Sequence, residues 1–173
     1  MINVHFGGPP WLEIKTRDIT CDFLHANLAS DETVYVDMPL RFNINSNNGK
    51  RQVLKLNKTL YGLCQSPRAF WKYITKKLES CGLKQSKFGP CIFIGPDDMC
   101  IVYVDDLIFW SRNAANIDRV AMELCKLGVA LEQEDNAAGF LGVKMERDRN
   151  TGLLEMKQTG LIERVFEALD LDN

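Results

Sequence analysis

Two short apolar runs separated by two acids give the chain its clearest pattern. Ile101–Val104 and Leu107–Trp110 are rich in β-branched and aromatic residues, and Asp105 and Asp106 stand between them. This arrangement predicts a β-hairpin with the acids at its tip. Trp11 to Asp18 sets Trp11, Leu12 and Ile14 among polar residues and predicts a strand, as do Thr33 to Asp37 and Val53 to Leu56. At Ser66-Pro67 the period changes. Phe70, Ile74 and Leu78 recur at spacing four with Trp71 beside them, which predicts a helix with Ser66 as cap, Pro67 in its first turn and Gly82 as stop. A second helix is expected behind Asn116 as cap, with Ile117, Val120, Ala121, Leu124 and Leu127 as its stripe and Gly128 at its end. Thr20 is expected to cap a short helix over Cys21 to Leu28, with Phe23, Leu24 and Leu28 inward. Gly139 to Glu146 and Leu153 to Met156, around the polar Asp148 to Gly152, predict another hairpin. Thr159 to Leu169 predicts a third helix, with Leu161, Ile162, Val165, Phe166 and Leu169 inward. Residues 1–10 carry Gly-Gly and Pro-Pro and are expected to be an irregular lead-in; Pro39 to Lys50 is polar and Asn-rich and reads as a loop. Few strands with helices between them give an α+β class: an antiparallel sheet backed by helices.

Composition narrows the function. The chain has 173 residues, 46% hydrophobic and 25% charged, enough for one domain with a real core. Its formal net charge of -2 excludes a strongly basic nucleic-acid footprint over the whole surface, though not a local basic groove. The six cysteines, at 21, 64, 81, 91, 100 and 125, form no Cys-x-x-Cys pair, and only His5 and His25 could join them. A zinc site is therefore not expected. The thiols read as reduced, so the protein is expected to be intracellular and not secreted. No apolar run is long enough for a membrane span, and the N-terminus lacks a signal-peptide layout.

The acids carry the candidate chemistry. Adjacent carboxylates at a hairpin tip repel, and apolar strands keep water sparse around them, so a cation is the natural compensator. A hard divalent ion such as magnesium, or manganese, suits all-oxygen ligands. An idle acidic turn is the competing reading. Asp18 ends an apolar strand just before a predicted helix, a place that suits metal-phosphate chemistry. A simple turn-initiating role competes there too.

At this point the chain resembles a family. Asp18-Ile-Thr-Cys-Asp-Phe-Leu-His-Ala is similar to a block of copia-type retrotransposon reverse transcriptases. Val34-Tyr-Val-Asp-Met-Pro and Leu54-Lys-Leu-Asn-Lys-Thr-Leu-Tyr-Gly-Leu-Cys-Gln-Ser-Pro-Arg-Ala-Phe-Trp resemble the blocks that follow. So do Cys100-Ile-Val-Tyr-Val-Asp-Asp-Leu-Ile, Gly139-Phe-Leu-Gly-Val-Lys-Met and Gln158 to Leu169. The blocks come in family order over about residues 11 to 169. Tyr-Val-Asp-Asp together with Leu-Tyr-Gly-Leu-x-Gln-Ser-Pro-Arg is a specific pairing.

The resemblance implies a right-hand polymerase palm with part of the fingers, over residues 11–173, without thumb or RNase H. It implies two-metal nucleotidyl transfer extending a primer 3′-hydroxyl on an RNA or DNA template, with deoxynucleoside triphosphates as substrates. Asp18 and Asp105 would bridge the metals, Asp106 would complete the cluster, and the Ile19 backbone carbonyl would be a further ligand. Phe23 matches the bulky position that abuts the sugar and excludes a 2′-hydroxyl. Tyr61, Gly62 and Gln65 would lie near the incoming nucleotide, and Pro67, Tyr103, Val104, Phe140, Leu141 and Gly142 near primer or template. Other segments of a parent polyprotein are implied partners; a membrane and zinc are not.

The sequence departs from the family pattern at three places. Asp22 stands where a small residue is usual and is expected to repel triphosphate. Ala26 replaces a usual Gly, and Cys64 a common Lys. Activity of this chain by itself is expected to be very weak or absent. A non-catalytic remnant that keeps the fold, and an unrelated α+β domain with an incidental Asp-Asp turn, are the alternative readings. Convergence of Asp18 with Asp105 in space separates the last from the others.

Overall fold

The computed structural model describes residues 2–4, 13–39, 52–134, 140–148 and 154–170. The chain divides into two units, residues 1–20 with 75–173, and residues 21–74.

The first unit is built on a six-stranded antiparallel sheet. Its strands are β2 (Glu13–Ile19), β5 (Lys84–Gln85), β6 (Ile92–Ile94), β7 (Asp98–Tyr103), β8 (Asp106–Ser111) and β9 (Leu131–Glu134), in the order β5-β6-β7-β8-β2-β9. Leu107, Ile108 and Phe109 are all buried, as a central strand covered on both faces requires. Helix α2 (Ala114–Lys126) packs on β8, β2 and β9. Ile117, Val120 and Leu124, at helical spacing, are its buried stripe. The core also takes Phe93, Cys100, Val102 and Val129. Ion pairs tie α2 to the sheet: Asp118 meets Lys15 at 2.6 Å and the buried Arg17 at 3.3 Å, and Arg119 meets the buried Asp98 at 3.3 Å. A second, three-stranded sheet has the order β1-β11-β10, with β1 Ile2–Val4, β10 Lys144–Arg147 and β11 Leu154–Lys157. Helix α3 (Thr159–Ala168) follows it.

The second unit holds a 3-10 turn (Asp22–His25), a two-stranded sheet of β3 (Tyr35–Asp37) and β4 (Val53–Lys55), and the first part of helix α1 (Ser66–Ser80). The α1 residues Phe70, Ile74 and Leu78 are buried as the period predicts. Gly82 closes the helix at φ 89°, a left-handed conformation that favours glycine.

The α+β class with an antiparallel sheet and helices stands. Several local expectations do not. Ile2–Val4, inside the expected irregular lead-in, pair with β11. Thr20 caps no helix; its hydroxyl donates to the Glu132 carboxylate at 3.1 Å, and the residues after it make only the short 3-10 turn. The Ser66 hydroxyl donates to the Leu60 carbonyl at 2.6 Å, anchoring the helix start to the preceding loop. The α2 cap is Asn113, whose side chain accepts from the Ala115 N–H at 3.0 Å, three residues before the expected Asn116. Leu127, expected in the α2 stripe, is 37% exposed beyond the last helical turn. The α3 stripe is exposed at all five positions, 43–61%, because among the described residues that helix buries no side chain. Trp11, Leu12, Leu153, most of the Pro39 to Lys50 loop and the turn after Asp148 lie outside the described residues.

Candidate metal centre

Register brings the acids together. β2 runs antiparallel to β8 with Asp18 directly opposite Asp106, and Tyr103 opposite Asp106 closes the β7–β8 hairpin. The hairpin tip is Val104-Asp105, one residue earlier than the alternation of apolar residues suggests. Asp106 is the first residue of β8, held there by pairing on both sides. Val104 adopts φ 55°, a left-handed conformation that is strained for a β-branched residue. The Ile19 N–H donates to the Asp105 carbonyl at 2.9 Å, which ties the end of β2 to the tip.

One carboxylate oxygen from each of Asp18, Asp105 and Asp106 lies within 4.8 Å of the others, and all three residues are half-buried. At that spacing and an effective dielectric constant of about 20, each pair of negative charges repels by roughly 3 kcal/mol. The donor set is entirely oxygen and partly shielded from water, which fits a hard divalent cation and does not fit a thiolate- or imidazole-seeking one. Glu132 stands opposite Asp18 on β9, an exposed carboxylate beside the same strand end. Nothing local in the sequence marks it, because β9 carries only a short, acidic alternation.

Tyr103 and Val104, 52% and 42% exposed, sit at the same hairpin tip. Phe140, Leu141 and Gly142 form a 3-10 turn that contacts β8, with Leu141 at φ 54°. Ile19 is a buried strand residue.

The remaining candidates lie in the second unit. Phe23 is half-buried in the 3-10 turn. Its ring meets Tyr61 edge-on at 4.9 Å between centroids and Phe70 at 6.0 Å. Gly62 turns the chain at φ 88°. Gln65 lines an open cleft of about 580 Å³ with Glu32, Thr33, Val34, Cys64 and Arg68, and Pro67 sits in the first turn of α1. Asp22, expected to face phosphates, is only 1% exposed and accepts a hydrogen bond from the Tyr61 hydroxyl.

A family profile described as reverse transcriptase (RNA-dependent DNA polymerase) matches residues 10–173. The retrovirus-related Pol polyprotein from transposon TNT 1-94 of Nicotiana tabacum is 29% identical over 167 residues, 94% of this chain and 12% of that protein. The transposon Ty1-GR1 Gag-Pol polyprotein of Saccharomyces cerevisiae is 24% identical over 159 residues, 88% of this chain and 9% of that protein. The chain thus spans about a tenth of the length of the curated relatives it matches.

Proposed function

Because the chain belongs to the reverse transcriptase (RNA-dependent DNA polymerase) family, among the copia-type retrotransposon Pol polyproteins, we propose that it is the metal-binding catalytic segment of such a polyprotein. The observation that carries this reading is the meeting of Asp18, Asp105 and Asp106 within 4.8 Å on adjoining strands. Magnesium or manganese held there supplies charge stabilisation to the attacking and leaving oxygens of phosphoryl transfer. Asp18 and Asp105 would hold the ions, Asp106 would complete the negative cluster, and the Ile19 carbonyl would be a further donor. The hairpin tip sets the positions of Asp105 and Asp106, and its exposed Tyr103 and Val104 face the primer end. Phe140 to Gly142 and Pro67 serve primer and template.

Phe23 selects the sugar. Its ring is gripped by Tyr61 and Phe70, so it cannot yield easily to an added hydroxyl. A rigid apolar surface rejects a 2′-hydroxyl by shape and by leaving it without a hydrogen-bond partner. Tyr61, Gly62 and Gln65 complete the nucleotide subsite. Template, primer and deoxynucleoside triphosphates are the substrates, and the remaining segments of the polyprotein are its partners.

The test is extension of a DNA primer on an RNA template with magnesium. The unmodified chain is expected to give faint, ion-dependent addition, and Asp105→Asn/Asp106→Asn to abolish it. Addition that persists in that variant overturns the assignment.

A further inference from the structure

Asp22 opens the 3-10 turn as a buried carboxylate. Its Oδ1 accepts from the Tyr61 hydroxyl, and its Oδ2 is buried with no hydrogen-bond partner among the described residues. Burying a carboxylate with half of its acceptor capacity unmet is unfavourable. An apolar residue would fill the same space without that cost, so packing alone gives no reason for an acid here.

What the acid does is hold Tyr61. The backbone around it is already fastened: the Thr59 hydroxyl donates to the Phe23 carbonyl, and the Thr59 N–H donates to the Ala26 carbonyl at 3.0 Å. Tyr61 itself is 54% exposed, yet its ring lies edge-on to Phe23 at 4.9 Å. A half-exposed ring would otherwise sample several rotamers. A hydroxyl fixed to a buried, acceptor-only carboxylate removes that freedom.

We propose that Asp22 is a positioning residue for substrate selection: through Tyr61 it pins the Phe23 ring and so sets the clearance left for the nucleotide sugar. This rests on the reading of Phe23 as the sugar-facing residue. Asp22 touches no substrate. It acts through a phenol and a ring contact, and loosening either lets Phe23 give way to a 2′-hydroxyl.

The test is equilibrium binding of dATP and ATP to the whole chain, with magnesium and a dideoxy-terminated DNA primer on an RNA template that presents uracil next. The two nucleotides differ only at the 2′ position, and no chemistry occurs. Asp22→Ala and Tyr61→Phe are each expected to reduce the preference for dATP by about tenfold, the effect of one charge-assisted hydrogen bond. The double variant should be no worse than either single one, since both remove the same contact. Asp22→Asn keeps a carbonyl acceptor and should hold the preference within about twofold. A purely structural contact would lower the melting temperature of the variants and leave the ratio unchanged, and that result overturns the proposal while the nucleotide site stands. Absence of binding by both nucleotides overturns the nucleotide site and the proposal with it. If Asp22→Ala does not fold, Tyr61→Phe, which removes one oxygen from a half-exposed side chain, carries the same comparison.

Discussion

Val104 stands with Asp105 at the tip of the β7–β8 hairpin, where its backbone is left-handed. Turn statistics favour Asp over Val at a hairpin tip, yet the tip is Val104-Asp105, because Asp106 pairs with Asp18 across the sheet. That pairing joins segments far apart in sequence and leaves no local signal. Val104 therefore accepts φ 55°. Val104→Asn, which tolerates this conformation, should stabilise the fold by roughly 1 kcal/mol, read as a higher urea midpoint at unchanged slope. An unchanged or lower midpoint would show that the turn is unstrained. The cysteines give a second test at this scale. All six are free, with Cys21, Cys64 and Cys125 exposed and Cys81 and Cys100 buried. Burial, with the Glu123 carboxylate adding to it, pushes the Cys81 thiol up to about 11, and burial also raises Cys100. Only the thiolate reacts, so alkylation of the native protein at pH 8 should mark the three exposed thiols and spare the two buried ones. Folded Cys81 keeps a proton that the unfolded chain gives up near 9. Its contribution to stability is full below that pH and fades as the pH rises towards 11. Rapid labelling of Cys81 at pH 8 would contradict this.

Among the elements, α1 was the most legible, because one apolar residue every four positions over three turns admits few other structures. Helix α2 was legible in its stripe but not in its start: Asn113 and Asn116 both suit a cap, and only the backbone turn at Ser111–Asn113 decides between them. Asn113→Ala should cost about 1 kcal/mol of stability, as loss of an N-cap does. Asn116→Ala should cost less than half of that, since its side chain only reaches the Ser111 hydroxyl at 3.5 Å. Equal losses in thermal unfolding would refute the cap assignment. Helix α3 carries the expected apolar stripe, but the stripe is exposed rather than buried. Periodicity says which face of a helix is apolar; it carries no information on what stands opposite. The short strands β5, β6 and β9 carry little local signal for a related reason, since two to four residues offer too little alternation to register, and β9 pairs with β2, far away in sequence.

For the whole molecule, fold class and family were legible because several short blocks occur in a fixed order, each constraining the next. The candidate centre was legible in its three acids, and their convergence required the antiparallel register of β2 against β8 that only the folded chain displays. The partner of Asp22 was not legible, since nothing in the sequence points Tyr61 at it. The proposed role requires the three acids to form one divalent-cation site. The most direct measurement is titration of the whole chain with manganese, following the free ion by electron paramagnetic resonance. The unmodified chain should take up the ion, magnesium should compete for the same place, and Asp105→Asn/Asp106→Asn should weaken uptake at least about tenfold, the loss expected when charged oxygen ligands become neutral. Uptake of equal affinity in the variant would show that the three acids are not the cation site.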